Sequence, residues 1–217
     1  MNRRDFSARL AGTGLGALAA GLIGGPVAAQ GAVPAEGQQF ARVDPPVPPI
    51  APGKIEVIEF FSYACPHCNA FEPTVEAWSK KLPADVAFHR VPVPFLMNAE
   101  NFMRTYYALE TMGQVGAMQR KVFAAVHVER QYLEKPADIA ALMAKNGIDG
   151  AKFLDVFNSF SVATSVTRAK KLFAAYKIDG VPTVAVQGRY VTSPGQAGGP
   201  EQAMAVADFL VQRARKG

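Results

Sequence analysis

Two cysteines, Cys65 and Cys68, are the residues of this sequence best suited to carry out chemistry. They are the only cysteines of the chain, and Pro66 and His67 separate them. Cysteines this close together close a very small loop when oxidised, so a disulfide between them would restrict little of the unfolded chain. The pair therefore predicts thiol–disulfide exchange rather than a structural cross-link.

The position of Cys65 gives the two thiols different roles. The sequence predicts a buried strand over residues 54–63 and a helix over residues 66–81, with Pro66 in its first turn. Cys65 then lies at a helix amino terminus, where unpaired N–H groups and the helix dipole stabilise a thiolate. We expect Cys65 to be the exposed nucleophile and Cys68, one turn into the helix, to be the buried partner that resolves a mixed disulfide.

His67 indicates the direction of the exchange. A protonated imidazole next to Cys65 adds a positive charge and a hydrogen-bond donor, which stabilise the thiolate and therefore the reduced protein. A pair whose reduced form is stabilised passes its disulfide to other thiols. Pro66 removes a backbone N–H and shapes the turn. The sequence thus predicts an oxidant, whereas Gly-Pro between the cysteines would have indicated a reductant.

Two other interpretations of the cysteines have less support. A zinc site would need further ligands, but no second cysteine pair exists, and the histidines His67, His89 and His127 are scattered along the chain. Inert core cysteines would not be expected to flank a polar histidine. The sequence therefore predicts neither a metal site nor another cofactor.

A second candidate element lies far along the chain. Pro182 follows Val181 at the start of a strand predicted over residues 183–187. An X-Pro bond at such a position is a candidate cis peptide. That form would leave the Val181 backbone beside the cysteines, where it could pair with an extended substrate segment. An ordinary proline at the start of a strand is the alternative.

One acidic residue falls inside the apolar strand before the cysteines. Burying Glu59 would be costly unless it is paired or protonated, and Arg90 or His89 on the next predicted strand could be its partner. A buried carboxyl group here could pass protons to or from Cys68. The alternative is an exposed Glu59 at a strand edge. Glu72, one turn after Cys68, is predicted to be a charge on the helix surface.

Outside these residues, the sequence indicates an exported α/β protein. Of 217 residues, 49% are hydrophobic and 19% are charged, which excludes a disordered chain, and a dispersed net charge of +5 does not indicate a nucleic-acid partner. Arg3 and Arg4, a weakly apolar run and Val27-Ala28-Ala29 form the pattern of an export signal. The two arginines followed by Asp5-Phe6 and the Gly-rich, mildly apolar core resemble the twin-arginine type, and the alternative is an ordinary signal whose positive start they supply. Export would place the thiols in an oxidising compartment.

Strand and helix patterns divide the chain into four parts. Strands are predicted on both sides of a long stretch of helical periodicity. The predicted parts are a cleaved export signal over residues 1–29, a leader and Pro-rich linker over 30–53, a sheet-bearing domain over 54–97 and 167–217, and an inserted helical domain over 98–166.

These features together resemble the DsbA family of the thioredoxin superfamily. The resemblance is carried by residues 59–63 (EFFSY), Cys65-Pro66-His67-Cys68, Phe71, Glu72, residues 180–182 (GVP) and residues 186–190 (VQGRY). It extends over residues 38–215 and implies a thioredoxin fold with a helical domain inserted in the middle of the chain. It also implies a protein disulfide oxidoreductase, a dithiol oxidase of the periplasm. Such an enzyme oxidises unfolded exported proteins and is recycled by a quinone-linked membrane oxidase of the DsbB type.

Two other activities stay open at this point. A disulfide isomerase or reductase would use the same pair of cysteines, but it usually needs a dimerisation module or a different dipeptide between them, and we expect a monomer. A chaperone-like binder of unfolded exported chains would make the cysteines secondary.

Overall fold

The strand that precedes Cys65 lies in the interior of a mixed sheet. The computed structural model describes residues 33–51 and 53–217, and within them the strands are β1 (Ala41–Arg42), β2 (Ile55–Phe61), β3 (Val86–Pro92), β4 (Thr183–Val186) and β5 (Tyr190–Thr192). Their order is β1-β5-β4-β2-β3, with β2 parallel to β3 and antiparallel to β4. The predicted export signal over residues 1–29 lies outside the described residues.

β2, with the sequence IEVIEFF, is buried on both of its faces. Every residue after Ile55 is buried, and a short run of β-branched and aromatic side chains is typical of such a strand. Ile58 packs into one core and Val57 into the other. The strand predicted over residues 54–63 ends earlier, so that residues 62–65 can turn into the next helix.

Helices cover both faces of the sheet. They are α1 (Pro66–Ser79), α2 (Ala99–Thr111), α3 (Val115–His127), α4 (Pro136–Lys145), α5 (Gly150–Phe157), α6 (Phe160–Ala175), α7 (Pro194–Ala197) and α8 (Pro200–Arg215). α1 and α8 form one core with the sheet, to which Val75 and Leu210 belong. α2 through α6 connect β3 to β4 and contribute most of the other core.

The helices between β3 and β4 share their core with the sheet. Phe60 of β2 packs edge to face on Tyr176, which follows α6, and Phe61 packs in the same way on Tyr106 of α2. Residues 34–217 form one compact unit. The inserted helices are therefore continuous with the sheet-bearing part of the fold.

One predicted domain boundary falls inside a helix, α6. The predicted boundary between residues 166 and 167 falls inside this helix, which begins at Phe160. Ser159 sets the start because its hydroxyl accepts a hydrogen bond from the Val162 N–H, at 3.2 Å. Polar residues in the first two turns of α6 obscure its helical periodicity in the sequence.

The segment before β2 is bound to the β4–β5 hairpin. The N–H groups of Val43 and Val47 donate to the carbonyl groups of Arg189 and Gly188, both at 2.9 Å. A side chain at position 188 would collide with the chain, because a Cβ atom there would lie 1.7 Å from the Val47 carbonyl oxygen. Among the described residues, no helix is long and apolar enough to cross a membrane.

Candidate active site

Cys65 caps the amino end of α1. Its backbone is extended (φ −89°, ψ 116°), and its Sγ accepts a hydrogen bond from the Cys68 N–H at 3.4 Å. The preceding turn is closed by the Cys65 N–H, which donates to the Ser62 carbonyl at 3.0 Å, and the Ser62 hydroxyl accepts from the Ala64 N–H at 3.1 Å. Pro66 occupies the first helical position, where its missing N–H leaves no helical hydrogen bond unmade.

Both thiols are free and largely buried. Cys65 is 5% exposed and Cys68 is 0% exposed. Cys65 is thus the more accessible of the two, but the prediction that it is exposed is wrong. The reason is the loop before β4, because the Val181 carbonyl oxygen lies 3.4 Å from the Cys65 Sγ.

The surroundings of Cys65 lower its pKa from an ordinary value of 9.0 to about 6. The largest cause is a hydrogen bond with the Cys68 thiol. Backbone N–H groups of Cys68 and His67 and the charge of the His67 ring act in the same direction, against partial burial of the sulfur. Cys65 is therefore mostly a thiolate at neutral pH. His67 is exposed, so its ring acts from the solvent side.

Cys68 has the opposite character. Burial is the largest cause that raises its pKa far above the ordinary value, and the hydrogen bond and charge of the Cys65 sulfur act in the same direction. The nearby charge of Glu59 adds to this effect. The first proton to leave the reduced pair thus comes from Cys65, while Cys68 keeps its own.

Val181 and Pro182 lie beside the cysteines, and the peptide bond between them is cis, as predicted. β4 begins at Thr183, which is the pairing partner of Phe60 on β2, and this pairing brings the loop next to Cys65. His67, Val181 and Pro182 line one groove, which we call the exchange groove. Its other walls come from α1 and from the start of α7, with Ala70, Phe71, Ser193 and Pro194.

Glu59 is buried and paired, with 1% of its surface exposed. Register places it opposite Arg90 of β3, and Arg90 Nε donates to Glu59 Oε2 at 2.9 Å. Burial raises the pKa of Glu59, against the attraction of the guanidinium. The alternative of an exposed Glu59 at a strand edge is wrong, because β2 is paired on both sides.

Glu72 is also buried, so the prediction of a surface charge is wrong. It is 3% exposed, and its Oε1 accepts from Arg90 Nη2 at 2.8 Å. Its position four residues after Cys68 places both side chains on the buried face of α1. Burial raises the pKa of Glu72 to about 7, although Arg90 opposes the shift. We call Glu59, Arg90 and Glu72 the carboxyl cluster, because one guanidinium serves two buried carboxyl groups.

Comparison with known proteins agrees with this geometry. The family model described as DSBA-like thioredoxin domain matches residues 56–201. The chain belongs to this family, the DsbA family. Its fold is the predicted thioredoxin fold, and the protein is a thiol:disulfide oxidoreductase.

Other DsbA proteins are similar over most of the chain. The thiol:disulfide interchange protein DsbA of Pseudomonas aeruginosa is 44% identical over 181 residues, which cover 82% of this chain and 85% of that protein. The protein of the same name from Bordetella pertussis is 42% identical over 217 residues, with 100% of both chains covered. The crystal structure of Pseudomonas aeruginosa DsbA aligns with a TM-score of 0.81 at 43% identity and covers 84% of this chain and 95% of that chain.

Two residues of α3 reach the site of this DsbA-family chain although no pattern in the sequence indicates a role for them there. Gln119 accepts a hydrogen bond from the Tyr63 hydroxyl at 2.6 Å, and His127 Nε2 lies 2.8 Å from the Tyr63 carbonyl oxygen. The carbonyl can only accept, so Nε2 of His127 carries a proton. A polar Gln119 between the buried Met118 and Val122 is the signal that could have found this contact. Within residues 33–51 and 53–217, no three His, Cys, Asp or Glu side chains are placed to hold a metal ion.

Proposed function

We propose that this protein introduces disulfides into exported proteins by donating a Cys65–Cys68 disulfide. The observation that carries the proposal is the position of Cys65 at the amino end of α1, where its Sγ accepts a hydrogen bond from the Cys68 N–H at 3.4 Å and its pKa is lowered to about 6. A thiolate stabilised in the reduced protein favours reduction of the pair, and so favours transfer of the disulfide to a substrate. His67 contributes to this preference, since its ring acts on the Cys65 sulfur.

The exchange proceeds in two displacements. A substrate thiolate attacks the Cys65 Sγ of the disulfide, the bond to Cys68 breaks, and Cys68 leaves and takes up a proton. A second substrate thiolate then attacks the substrate sulfur of the mixed disulfide, and Cys65 leaves as a thiolate. The substrate loses two electrons as its two thiols become a disulfide, and the protein gains them. In the second displacement, the low pKa of Cys65 makes its sulfur a good leaving group from the mixed disulfide.

The carboxyl cluster supplies and accepts the proton of Cys68. Glu59 acts electrostatically on this thiol, and both carboxyl groups of the cluster have raised pKa values because they are buried. A carboxyl group whose pKa is raised can give a proton to a departing thiolate and take it back on reoxidation. We assign Glu59 this role, with Arg90 holding it in place at 2.9 Å.

The exchange groove binds the substrate as an extended segment. Val181 offers a backbone carbonyl group 3.4 Å from the Cys65 sulfur, and Pro182 shapes the loop that carries it. On the other side, Ala64 adjoins a second depression with Met97 and Tyr132, which are 69% and 81% exposed. Exposed apolar side chains beside a reactive sulfur suit an unfolded substrate, whose own apolar residues are still accessible.

The compartment and the recycling partner follow from the same proposal. The export pattern of residues 1–29 supports a location in the periplasm, an oxidising compartment. After each cycle the dithiol has to be reoxidised, and a quinone-linked membrane oxidase of the DsbB type, as implied by the family resemblance, would do so. We expect the protein to act as a monomer.

The test is oxidation of a reduced, unfolded substrate by the parent and by Cys65→Ser. We expect the parent to form substrate disulfides and Cys65→Ser to form none. The matched variant Cys68→Ser has no disulfide to donate and should also oxidise no substrate. Mixed instead with a substrate that carries a disulfide, its Cys65 thiolate should attack that bond, release one substrate thiolate and stay trapped as a mixed disulfide, because the thiol that would resolve it is absent. Disulfide formation by Cys65→Ser at the parental rate would refute the proposal, and suppression of substrate aggregation without any redox role would favour a chaperone-like binder.

A second measurement decides the direction of exchange. The Cys65–Cys68 pair is equilibrated with glutathione, and the reduced fraction is determined. We expect the pair to be reduced more readily than that of a thioredoxin, whose potential is about −270 mV. A potential at or below this value would instead indicate a reductase.

A further inference from the structure

α3 holds the turn before Cys65 at two points, both on Tyr63. The Tyr63 hydroxyl donates to Gln119 Oε1 at 2.6 Å, and the Tyr63 carbonyl accepts from His127 Nε2 at 2.8 Å. Tyr63 is 0% exposed, and its ring packs edge to face on Phe123 of the same helix. The residue two positions before Cys65 is therefore fixed by the inserted helices as well as by β2.

Gln119 connects this turn to the carboxyl cluster. Its Nε2 donates to Glu72 Oε2 at 3.2 Å, while the other oxygen of Glu72 accepts from Arg90. Gln119 is 2% exposed, so water does not compete for either of its hydrogen bonds. The buried amide of Gln119 thus connects Tyr63, two positions before Cys65, with Glu72, four positions after Cys68.

The orientation of the amide favours the carboxylate form of Glu72. The NH₂ group donates to Glu72, which requires an oxygen with a free lone pair, and the amide oxygen accepts from the Tyr63 hydroxyl. A proton on Glu72 Oε2 would turn this oxygen into a donor. The amide would then have to rotate and present its NH₂ group to Tyr63, whose own proton would lose its acceptor.

Other charged or titratable groups also face Glu72. They are Arg90 and Glu59 from the sheet, Tyr63 from the turn after β2, and Glu76 from its own helix. Arg90 favours the carboxylate, whereas Glu59, Glu76 and burial oppose it. Gln119 is the neutral neighbour whose hydrogen bond acts with Arg90.

We propose that Gln119 is a positioning residue of the exchange reaction, which holds Glu72 as a carboxylate and couples its charge state to the turn that carries Cys65. This inference rests on the proposed function in one respect, that Cys65 and Cys68 are the exchanging pair. It gives the inserted helices a part in the reaction, because protonation of Glu72 would alter the hydrogen bonds of Tyr63 through the amide.

The first test follows the ionisation of Glu72 directly, in the reduced protein without substrate. The carboxyl carbon resonance of Glu72, assigned by its loss in Glu72→Gln, is followed across pH in the parent and in Gln119→Leu. We expect the midpoint to rise by about one pH unit in Gln119→Leu, which is the effect of one hydrogen bond to a carboxylate. Lys121→Leu, an exposed change on the same helix, should keep the parental midpoint.

Gln119→Glu distinguishes positioning from mere packing. At low pH the carboxyl group that this substitution introduces is protonated, so it can donate to Glu72 and accept from Tyr63, as the amide does. At high pH it adds a second negative charge and has no proton to donate. We therefore expect the pH profile of substrate oxidation to match the parent on the acidic side and to diverge on the alkaline side. A defect of equal size at every pH would mean a structural role only and would overturn the inference.

Tyr63→Phe keeps the inference testable if the Gln119 variants do not fold. It retains the ring and removes only the hydroxyl, so the amide loses one of the two contacts that fix its orientation. We expect the midpoint of Glu72 to rise, by less than in Gln119→Leu. An unchanged midpoint would show that Tyr63 and Glu72 are not coupled. Failure of the parent to oxidise substrate would refute the proposed function and leave this titration intact.

Discussion

The exchange groove and the carboxyl cluster lie close to the same two thiols but are built from different groups. In the groove, the Cys65 sulfur contacts two backbone groups, the Val181 carbonyl and the Cys68 N–H, each at 3.4 Å. In the cluster, the polar contacts are made by the side chains of Glu59, Arg90 and Glu72. The sulfur is thus positioned by the path of the chain, whereas the protons depend on individual side chains. Single side-chain substitutions should therefore disturb the hydrogen bonds and protonation of the cluster more than they disturb the contacts of the Cys65 sulfur in the groove.

Arg90→Met should have the largest effect. It keeps much of the side-chain volume but leaves two buried carboxyl groups without their shared cation, which should destabilise the protein by about 3–5 kcal/mol. Urea denaturation measures this loss. Arg120→Met, which removes an exposed arginine 3.7 Å from Glu76, should change stability by less than about 0.5 kcal/mol. Equal losses of stability in the two variants would contradict the expectation that the buried cluster contributes more to stability than an exposed ion pair does.

Glu72→Gln should change how stability depends on pH. The pKa of Glu72 is raised from 4.5 to about 7 in the folded protein, so the folded state holds a proton that the unfolded state has released. Stability therefore falls as pH rises from 4.5 to about 7, by an amount on the order of 3 kcal/mol, and is flat above. Glu72→Gln should lack this fall, as measured by urea denaturation across pH.

Glu76→Gln is the matched control on the next turn of α1. A hydrogen bond from Lys80 lowers the pKa of Glu76, so its contribution to stability is lost as pH falls. The two variants should deviate from the parent in opposite directions with pH. A fall between pH 4.5 and about 7 that persists in Glu72→Gln would place the responsible group elsewhere.

The reduction potential tests the groove side of the comparison. Below the pKa of Cys65, about 6, reduction takes up two protons with two electrons, and the potential should fall by about 59 mV per pH unit. Above it, only Cys68 takes up a proton, and the slope should drop to about 30 mV per pH unit. His67→Leu should move the change of slope to higher pH. A single slope across this range would mean that Cys65 is an ordinary thiol.

His127→Phe should have the smallest effect of the four. It preserves a ring that stacks on Phe123 but removes the donor to the Tyr63 carbonyl. One hydrogen bond to the backbone contributes about 1 kcal/mol, and we expect a loss of that size in denaturation. The pKa of Cys65, read from the ultraviolet absorbance of its thiolate, should stay at the parental value. A large shift would show that the groove depends on side chains as strongly as the cluster does.

The sequence predicts the groove better than the cluster for a physical reason. Cys65, Cys68 and the turn between them are local, and Pro182 stands at a recognisable strand start. The burial of Glu72 and its contact with Gln119 depend instead on how α3 packs against α1, and no local pattern determines that packing. Even the exposure of Cys65 depends on a distant loop at Val181.

A similar limit applies to the ends of helices. The start of α6 depends on the hydroxyl of Ser159, which outweighs a weak apolar pattern in the first turns. The start of α1 is clearer in the sequence, because Cys65 and Pro66 define it together. The helix start at Pro66 and the pairing of Glu59 with Arg90 on the next strand could be identified in advance, whereas the packing of α3 against α1 could not.

The pairing of β2 with β4 has a consequence for the order in which the protein matures. The whole set of helices from α2 to α6 lies between these two neighbouring strands, so their contact has a high sequence separation, which is typical of slow folding. Until residues 183–186 are synthesised and paired, the cysteines exist without the carbonyl of Val181 and without a groove for substrate. The reactive pair is synthesised early, and its site is complete only after the strand more than a hundred residues later has been added.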